Sequence, residues 1–196
     1  PLGGQGLGTS RPAVRPGKPG RQSQRMPARG DFVGAVQALI EKPHKTLAGV
    51  ESPMQWSPAR DGIGVEAKIQ IEVDGTQYGD KLSVVAVPSL GTFHINLIHR
   101  VGLCVSRLDF DPMQPHPNTM HAAQDGLPAM VTGKHFHRWS INTRFVNSDG
   151  TLERLFHAEE LPASIHTFEQ ALRWFCSELN IDLPHGHSVD YPEELI

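Results

Sequence analysis

The hydrophobic positions near the start of the chain follow a helical spacing. Asp31 suits a helix N-cap, and apolar side chains then recur three or four positions apart until Pro43. These apolar positions are Phe32, Val36, Leu39 and Ile40. The pattern therefore predicts a short amphipathic helix that ends before Pro43.

The period changes to two residues further along the chain. From Val65 to Val73 apolar and polar residues alternate, and Asp74-Gly75 follows, which is a strong hairpin signal. Three more apolar runs, each bounded by Gly or Pro, lie at 82–87, 93–98 and 103–110. We expect these segments to be strands of one antiparallel sheet.

The second half of the chain is less regular until its final element. Residues 111–133 hold four prolines and two glycines, which predicts a long loop, whereas 135–145 and 152–156 have strand-like patterns. Thr167 and Gln170 have the spacing of a capping box at the start of an amphipathic helix. The elements together predict an α+β fold with one antiparallel sheet or partly closed barrel of four to seven strands, flanked by an N-terminal and a C-terminal helix.

Composition divides the chain into segments. Residues 1–30 carry six basic residues, no acid, seven Gly and five Pro, which predicts a disordered basic tail. We expect a single domain over 31–183 and a C-terminal tail over 184–196. The basic tail is either part of the natural protein, or the true start is Met26.

Several protein classes are excluded. No apolar stretch is long enough to span a membrane, and the first thirty residues lack the apolar run of a signal peptide. The two cysteines, Cys104 and Cys176, show neither CxxC spacing nor a disulfide framework. A cytoplasmic location is therefore expected.

The net charge of −3 conceals one basic zone. Residues 100–144 hold five bases and three acids, whereas 31–99 and 145–196 are both acidic. Six of the eleven histidines lie between His94 and His137, so the basic zone is also rich in histidine. A polyanion such as RNA would bind here if it binds the domain at all.

His135-Phe136-His137 is the sharpest motif in this zone. On a strand the two imidazoles would share one face, which suits either two metal ligands or a general acid and base, although a solvated strand face is also consistent with it. Prolines on both sides of His116 would restrict that residue, and Asn118 could orient a neighbouring group.

The order of these motifs resembles an uncharacterised family of small bacterial proteins. The matching elements are Arg107-x-Asp109, Pro115-His116-x-Asn118, Asp125-Gly126 and His135-x-His137, and they lie within roughly residues 80–183. The pattern is also loosely similar to TumE-type toxins of toxin–antitoxin modules. The chain departs from the family pattern in its longer segment between Asn118 and Asp125 and in having Arg138-Trp139 after the histidines. The resemblance implies a small prokaryotic protein, and the similarity to TumE-type toxins implies the toxin half of a two-gene module with a cognate antitoxin.

The leading hypothesis is a metal-independent ribonuclease without a cofactor. His116, His135 and His137 would provide acid and base, and Arg107 would neutralise the phosphate. The residues expected to bind the substrate are Arg100, Asn118, Lys134 and Arg138.

Two alternatives stay open. The first is a non-catalytic module that binds a protein or a nucleic acid, favoured by the uneven charge. The second is a metal site at His116, His135 and His137, with Asp125 or Asp109 as the carboxylate ligand.

Overall fold

The computed structural model describes residues 28–49, 54–60, 62–183 and 191–192. Three α-helices lie in this part of the chain: α1 (Arg29–Glu41), α2 (Trp139–Asn142) and α3 (Phe168–Glu178). The strands are β1 (Lys45–Leu47), β2 (Ser57–Pro58), β3 (Val65–Val73), β4 (Thr76–Val87), β5 (Thr92–Ile98), β6 (Cys104–Phe110), β7 (Pro115–Pro117), β8 (Met130–Thr132), β9 (His135–His137), β10 (Glu159–Glu160) and β11 (Ile181–Asp182). The predicted tails lie almost wholly outside the described residues.

Nine of these strands form one open sheet, which confirms the α+β class and corrects the predicted count of four to seven strands. The order across the sheet is β10-β9-β6-β5-β4-β3-β1-β11, and β2 pairs with β3. The described pairings are antiparallel except for the parallel pair of β1 and β11. The additional strands are only two or three residues long, too short to show a period in the sequence.

The turn between β3 and β4 forms as predicted. Asp74 and Gly75 both have positive φ angles, 51° and 72°, which is the conformation that a tight two-residue hairpin requires. The final helix is also confirmed, because Thr167 accepts from the backbone N–H of Gln170 and the Gln170 side chain accepts in return from the backbone N–H of Thr167.

The strand prediction over 135–145 is wrong beyond His137. The chain leaves β9 there and enters α2, where the Asn142 side chain donates to the Arg138 carbonyl. Residues 152–156 do not form a strand either, and the described pairing in this segment is a single bridge between Val146 and Leu152. The predicted loop over 111–133 contains a small hairpin, because β7 pairs with β8.

The long strands give the sheet two different faces. On one face a row of paired residues crosses five strands and is buried beneath the helices; the row is Phe136, Leu108, Ile95, Val84 and Ala67. Phe136 is 1% exposed, and its ring packs against Trp174 and Phe175 of α3. None of the helices in the described part of the chain has the length and apolar character needed to cross a membrane.

Candidate metal centre

The opposite face of the sheet carries polar side chains at matched positions. In the strand register Asp109 on β6 lies opposite both His135 on β9 and His94 on β5. Arg107 lies opposite His137. Because alternate residues point to one face, the pairing brings these five side chains together away from the helices.

Asp109 lies at the middle of this group. Its Oδ2 atom is 3.3 Å from His135 Nε2 and 3.4 Å from His137 Nε2. Its other oxygen, Oδ1, accepts from Arg107 Nε at 2.7 Å and lies 3.4 Å from His94 Nδ1. The two carboxylate oxygens therefore have different surroundings: Oδ1 lies beside Arg107, and Oδ2 faces the paired histidines.

The β7–β8 hairpin adds His116 to the same place. Its ring centroid lies 4.6 Å from that of His137 and 5.1 Å from that of His135. One ring nitrogen from each of the three histidines lies within 4.8 Å of the other two. The hairpin thus lies against the HxH motif and brings together the three histidines that were grouped from the sequence.

The other nitrogen of each ring contacts a backbone carbonyl. His135 Nδ1 donates to Gly133 at 2.6 Å, His137 Nδ1 donates to His157 at 3.0 Å, and His116 Nε2 donates to Phe156 at 3.0 Å. A neutral imidazole has one N–H, so these bonds leave Nε2 of His135, Nε2 of His137 and Nδ1 of His116 as lone-pair donors. Backbone carbonyls therefore fix the orientation of all three rings.

The carbonyls of Phe156 and His157 belong to an irregular segment that asparagine side chains hold in place. Asn142 accepts from the His157 N–H and donates to the His157 carbonyl, both at 2.9 Å. Asn118 binds Ala158 in the same way: its side chain accepts from the Ala158 N–H at 2.7 Å and donates to the Ala158 carbonyl at 2.9 Å. Side-chain amides thus replace the ladder bonds that a neighbouring strand would supply.

Burial and charge have opposing effects on the ionisable groups. Burial raises the pKa of Asp109, but the neighbouring His135, His137 and His94, together with the charge of Arg107, lower it well below its usual range. Burial lowers the pKa of His137, opposed by Asp109. It also lowers the pKa of His116, opposed by the bond to the Phe156 carbonyl. The site therefore favours an ionised Asp109 together with the neutral forms of His137 and His116.

A cavity of about 440 Å³ opens beside the cluster. Asp109, Arg107 and the three histidines line one side, and residues 152–155 line another together with residues 102–104, where the turn before β6 leads into that strand. The volume is in the range of small-molecule binding sites.

The structure brings together only some of the predicted site residues. His116, His135, His137 and Arg107 lie at the cavity. Among the predicted substrate-binding residues, Asn118 holds Ala158, Lys134 donates to the Ile165 carbonyl, and Arg138 pairs with Glu159 and Glu178. Arg100, whose backbone N–H donates to Asp80, is also not a cavity-lining residue.

Asp125 and Asp109 were predicted as alternative carboxylate ligands, and only one of them lies beside the three histidines. Asp125 contacts His157 Nδ1 at 3.1 Å and pairs with Arg144, so Asp109 is the carboxylate beside the histidines. The sequence analysis gave no role to His94, His157, Glu153 or Arg154. His94 could have been found from the strand pairing with Asp109, but residues 153–157 have no pattern that predicts their position. Comparison of the chain with protein-family models, curated proteins and solved structures found no match.

Proposed function

We propose that the protein is a metal-dependent enzyme in which His116, His135, His137 and Asp109 bind one divalent transition-metal ion beside the cavity. The observation that carries the proposal is the orientation of the three imidazoles. Each ring donates its N–H outwards to a backbone carbonyl, and one nitrogen of each ring lies within 4.8 Å of those of the other two. Asp109 lies beside Nε2 of His135 and of His137. Metal-binding histidines in proteins are held by the same kind of outer hydrogen bond.

The contacts of Asp109 also support a metal site. In the neutral tautomers fixed by the carbonyls, Nε2 of His135 and Nε2 of His137 present lone pairs to a carboxylate oxygen only 3.3 and 3.4 Å away. Two electron-rich atoms at this distance need a proton or a cation between them. A metal ion with bonds of about 2.0–2.1 Å separates tetrahedral ligands by about 3.4 Å, so the distances from Asp109 to His135 and to His137 suit a bound ion.

The donor types narrow the choice of ion. Three imidazole nitrogens and one carboxylate oxygen suit zinc or ferrous iron better than calcium or magnesium, which prefer oxygen ligands. Four protein ligands complete a tetrahedral site for zinc, whereas a six-coordinate iron keeps further positions for water or substrate. Arg107 holds Oδ1 of Asp109, which leaves Oδ2 as a single donor oxygen.

A bound ion that keeps an open coordination position, as six-coordinate iron does, would act as a Lewis acid on water or on a substrate oxygen. The residues of the chain would orient the ligand atoms, and the cavity would admit the substrate next to them. The ribonuclease hypothesis, in its metal-independent form, stays a prediction, as do the toxin resemblance, a cognate antitoxin and the non-catalytic binding module. Incubation with RNA in the presence and absence of a chelator tests the ribonuclease hypothesis, because only cleavage that continues with the chelator supports its metal-independent form.

Metal titration tests the proposal directly. The purified chain is stripped with a chelator and titrated with Co²⁺, Zn²⁺ or, without oxygen, Fe²⁺. We expect one ion per chain, with strongly reduced affinity in Asp109→Asn and His116→Gln. His166→Gln is the matched control, because His166 is exposed and is not part of the cluster. A stoichiometry near zero, or equal affinity in all variants, would overturn the proposal.

A further inference from the structure

The charged residues that line the cavity are distributed unevenly. Arg107 lies beside Asp109 on the sheet, while Glu153 and Arg154 lie on the irregular segment. These are the charged side chains among the described lining residues, so two positive and two negative groups balance when the histidines are neutral. A divalent ion at the cluster would leave this small space with a net positive charge of two.

We infer that the cavity binds a small dianion, with one anionic oxygen group beside the metal ion and Arg107 and a second beside Arg154. The inference rests on the proposed metal site. Carboxylates and phosphates share this oxygen chemistry, and both form strong charge-assisted hydrogen bonds with guanidinium groups. A dianion would restore the neutrality that the ion removes.

Arg107 is suited to bind both an anion and Asp109. Its Nε and Nη2 atoms contact Asp109 Oδ1 at 2.7 and 2.5 Å, and a guanidinium carries more N–H groups than these two contacts use. The side chain is 38% exposed although Asp109 beside it is buried. A substrate oxygen can therefore reach the guanidinium without breaking the contact to Asp109.

Arg154 has a defined position in spite of its exposure. Its guanidinium carbon lies 4.4 Å from the centre of the Phe156 ring, and that ring packs against Phe145 at 4.8 Å. The cation–π contact limits the movement of the arginine side chain. The Phe156 carbonyl receives the hydrogen bond of His116, so Arg154 lies two residues from a group that orients the cluster.

The size of the cavity favours a small molecule over a polymer. A volume of about 440 Å³ is at the lower end of the range for small-molecule sites. Leu103, Leu152 and Leu155 provide apolar surface between the charged groups, which suits a short carbon skeleton.

Binding of simple anions to the Co²⁺-loaded protein tests the inference. The probes are malonate, inorganic phosphate and malonamide, which has the shape of malonate without its charges. We expect malonate or phosphate to change the visible spectrum of bound Co²⁺ and to saturate, and malonamide to do neither. The malonate and phosphate arms distinguish a carboxylate site from a phosphate site.

Three variants test how the charges at the cavity change its affinity for the anion. Arg154→Gln should weaken the binding of the preferred anion roughly fivefold or more, and Glu153→Gln should strengthen it, because one removes an attraction and the other a repulsion. Arg60→Gln is the control, since Arg60 is exposed and does not line the cavity. All three variants should bind Co²⁺ like the unchanged protein, because none of the substituted residues belongs to the cluster.

The two proposals fail in different ways. Absence of Co²⁺ binding overturns the metal site itself. The dianion inference is overturned, and the metal site left standing, if Co²⁺ binds normally and one of three results is found. These results are no response to either anion, an equal response to malonamide, and the same anion affinity in Arg154→Gln and Glu153→Gln.

Discussion

The side chain of Asn142 binds both backbone groups of His157, accepting from its N–H and donating to its carbonyl at 2.9 Å each. The same carbonyl receives the N–H of His137 Nδ1, so one amide fixes the group that orients a cluster histidine. Both Asn142 and His157 are fully buried. The arrangement of the cluster therefore depends on a residue that lies outside it.

Replacing Asn142 by Asp should weaken metal binding. The carboxylate cannot donate to the His157 carbonyl, so that carbonyl no longer has a fixed position for His137. We expect the affinity for Co²⁺ to fall by about 10- to 100-fold, the usual effect of losing an outer hydrogen bond around a metal site. Calorimetric titration of the folded variant measures this change.

The matched control for this variant is Asn147→Asp. Asn147 is exposed in a turn, where its side chain donates to Thr151, and the substitution adds the same charge. If both variants lose affinity equally, added charge rather than the contact with His157 explains the effect.

The two thiols should be unreactive in the folded protein. Burial raises the pKa of Cys104 to about 12 and that of Cys176 to about 12, so almost no thiolate is present at pH 9. We expect alkylation by iodoacetamide at pH 9 to be at least about 100-fold slower than in urea-unfolded chain, where the pKa is about 8.5. Mass spectrometry of timed samples gives both rates, and a native Cys104 that reacts as fast as the unfolded one would contradict this expectation.

Lys45 should make stability depend on alkaline pH. Its side chain is 1% exposed and donates to the carbonyls of Ile40 and Lys42 at the end of α1. Burial lowers its pKa to about 8, opposed by Asp182, whereas the unfolded lysine keeps a value near 10.5. Between these values the unfolded chain binds more protons, so the free energy of unfolding rises with pH.

A comparison with Lys45→Met isolates this contribution. The difference between the unfolding free energies of the two proteins should change by up to about 3 kcal/mol between pH 8 and 10.5, in favour of the unchanged protein at the higher pH. Urea titrations at several pH values provide the data. Parallel pH profiles for the two proteins would show that Lys45 does not titrate in this window.

The capping box of α3 should contribute measurably to stability. Thr167 Oγ1 accepts from the backbone N–H of Gln170 at 3.2 Å, and Gln170 Oε1 accepts from the backbone N–H of Thr167 at 3.1 Å. Thr167→Ala should lower the free energy of unfolding by about 1 kcal/mol, while Thr167→Ser should be nearly neutral. An equal loss in the Ser variant would point to the methyl group rather than to the cap.

The sequence predicted the elements whose signals are local. The tight turn at Asp74 and the cap at Thr167 depend on neighbouring residues and both form. The shared face of His135 and His137 follows from the two-residue period of a strand, whatever the strand pairs with. Such features need no knowledge of the rest of the chain.

Features that depend on distant partners could not be predicted in the same way. Asn118 resembles a substrate-binding residue in sequence, but its partner is Ala158, forty positions away. Arg138 lies next to His137, yet alternation turns it to the helix face, where it pairs with Glu178 of α3. The short strands at the sheet edges likewise form through pairing alone, because two or three residues show no period.

Successive residues of β5, β6 and β9 face opposite sides of the sheet, so neighbouring positions in the chain have independent roles. Leu108 and Phe136 are buried on the side of the helices, while Asp109 and His135, their immediate neighbours in the chain, line the cavity on the reverse side. Selection can therefore alter the reactive surface one position at a time without opening a void beneath the helices. A descendant of this chain could acquire a cavity with different lining residues while its interior stayed unchanged.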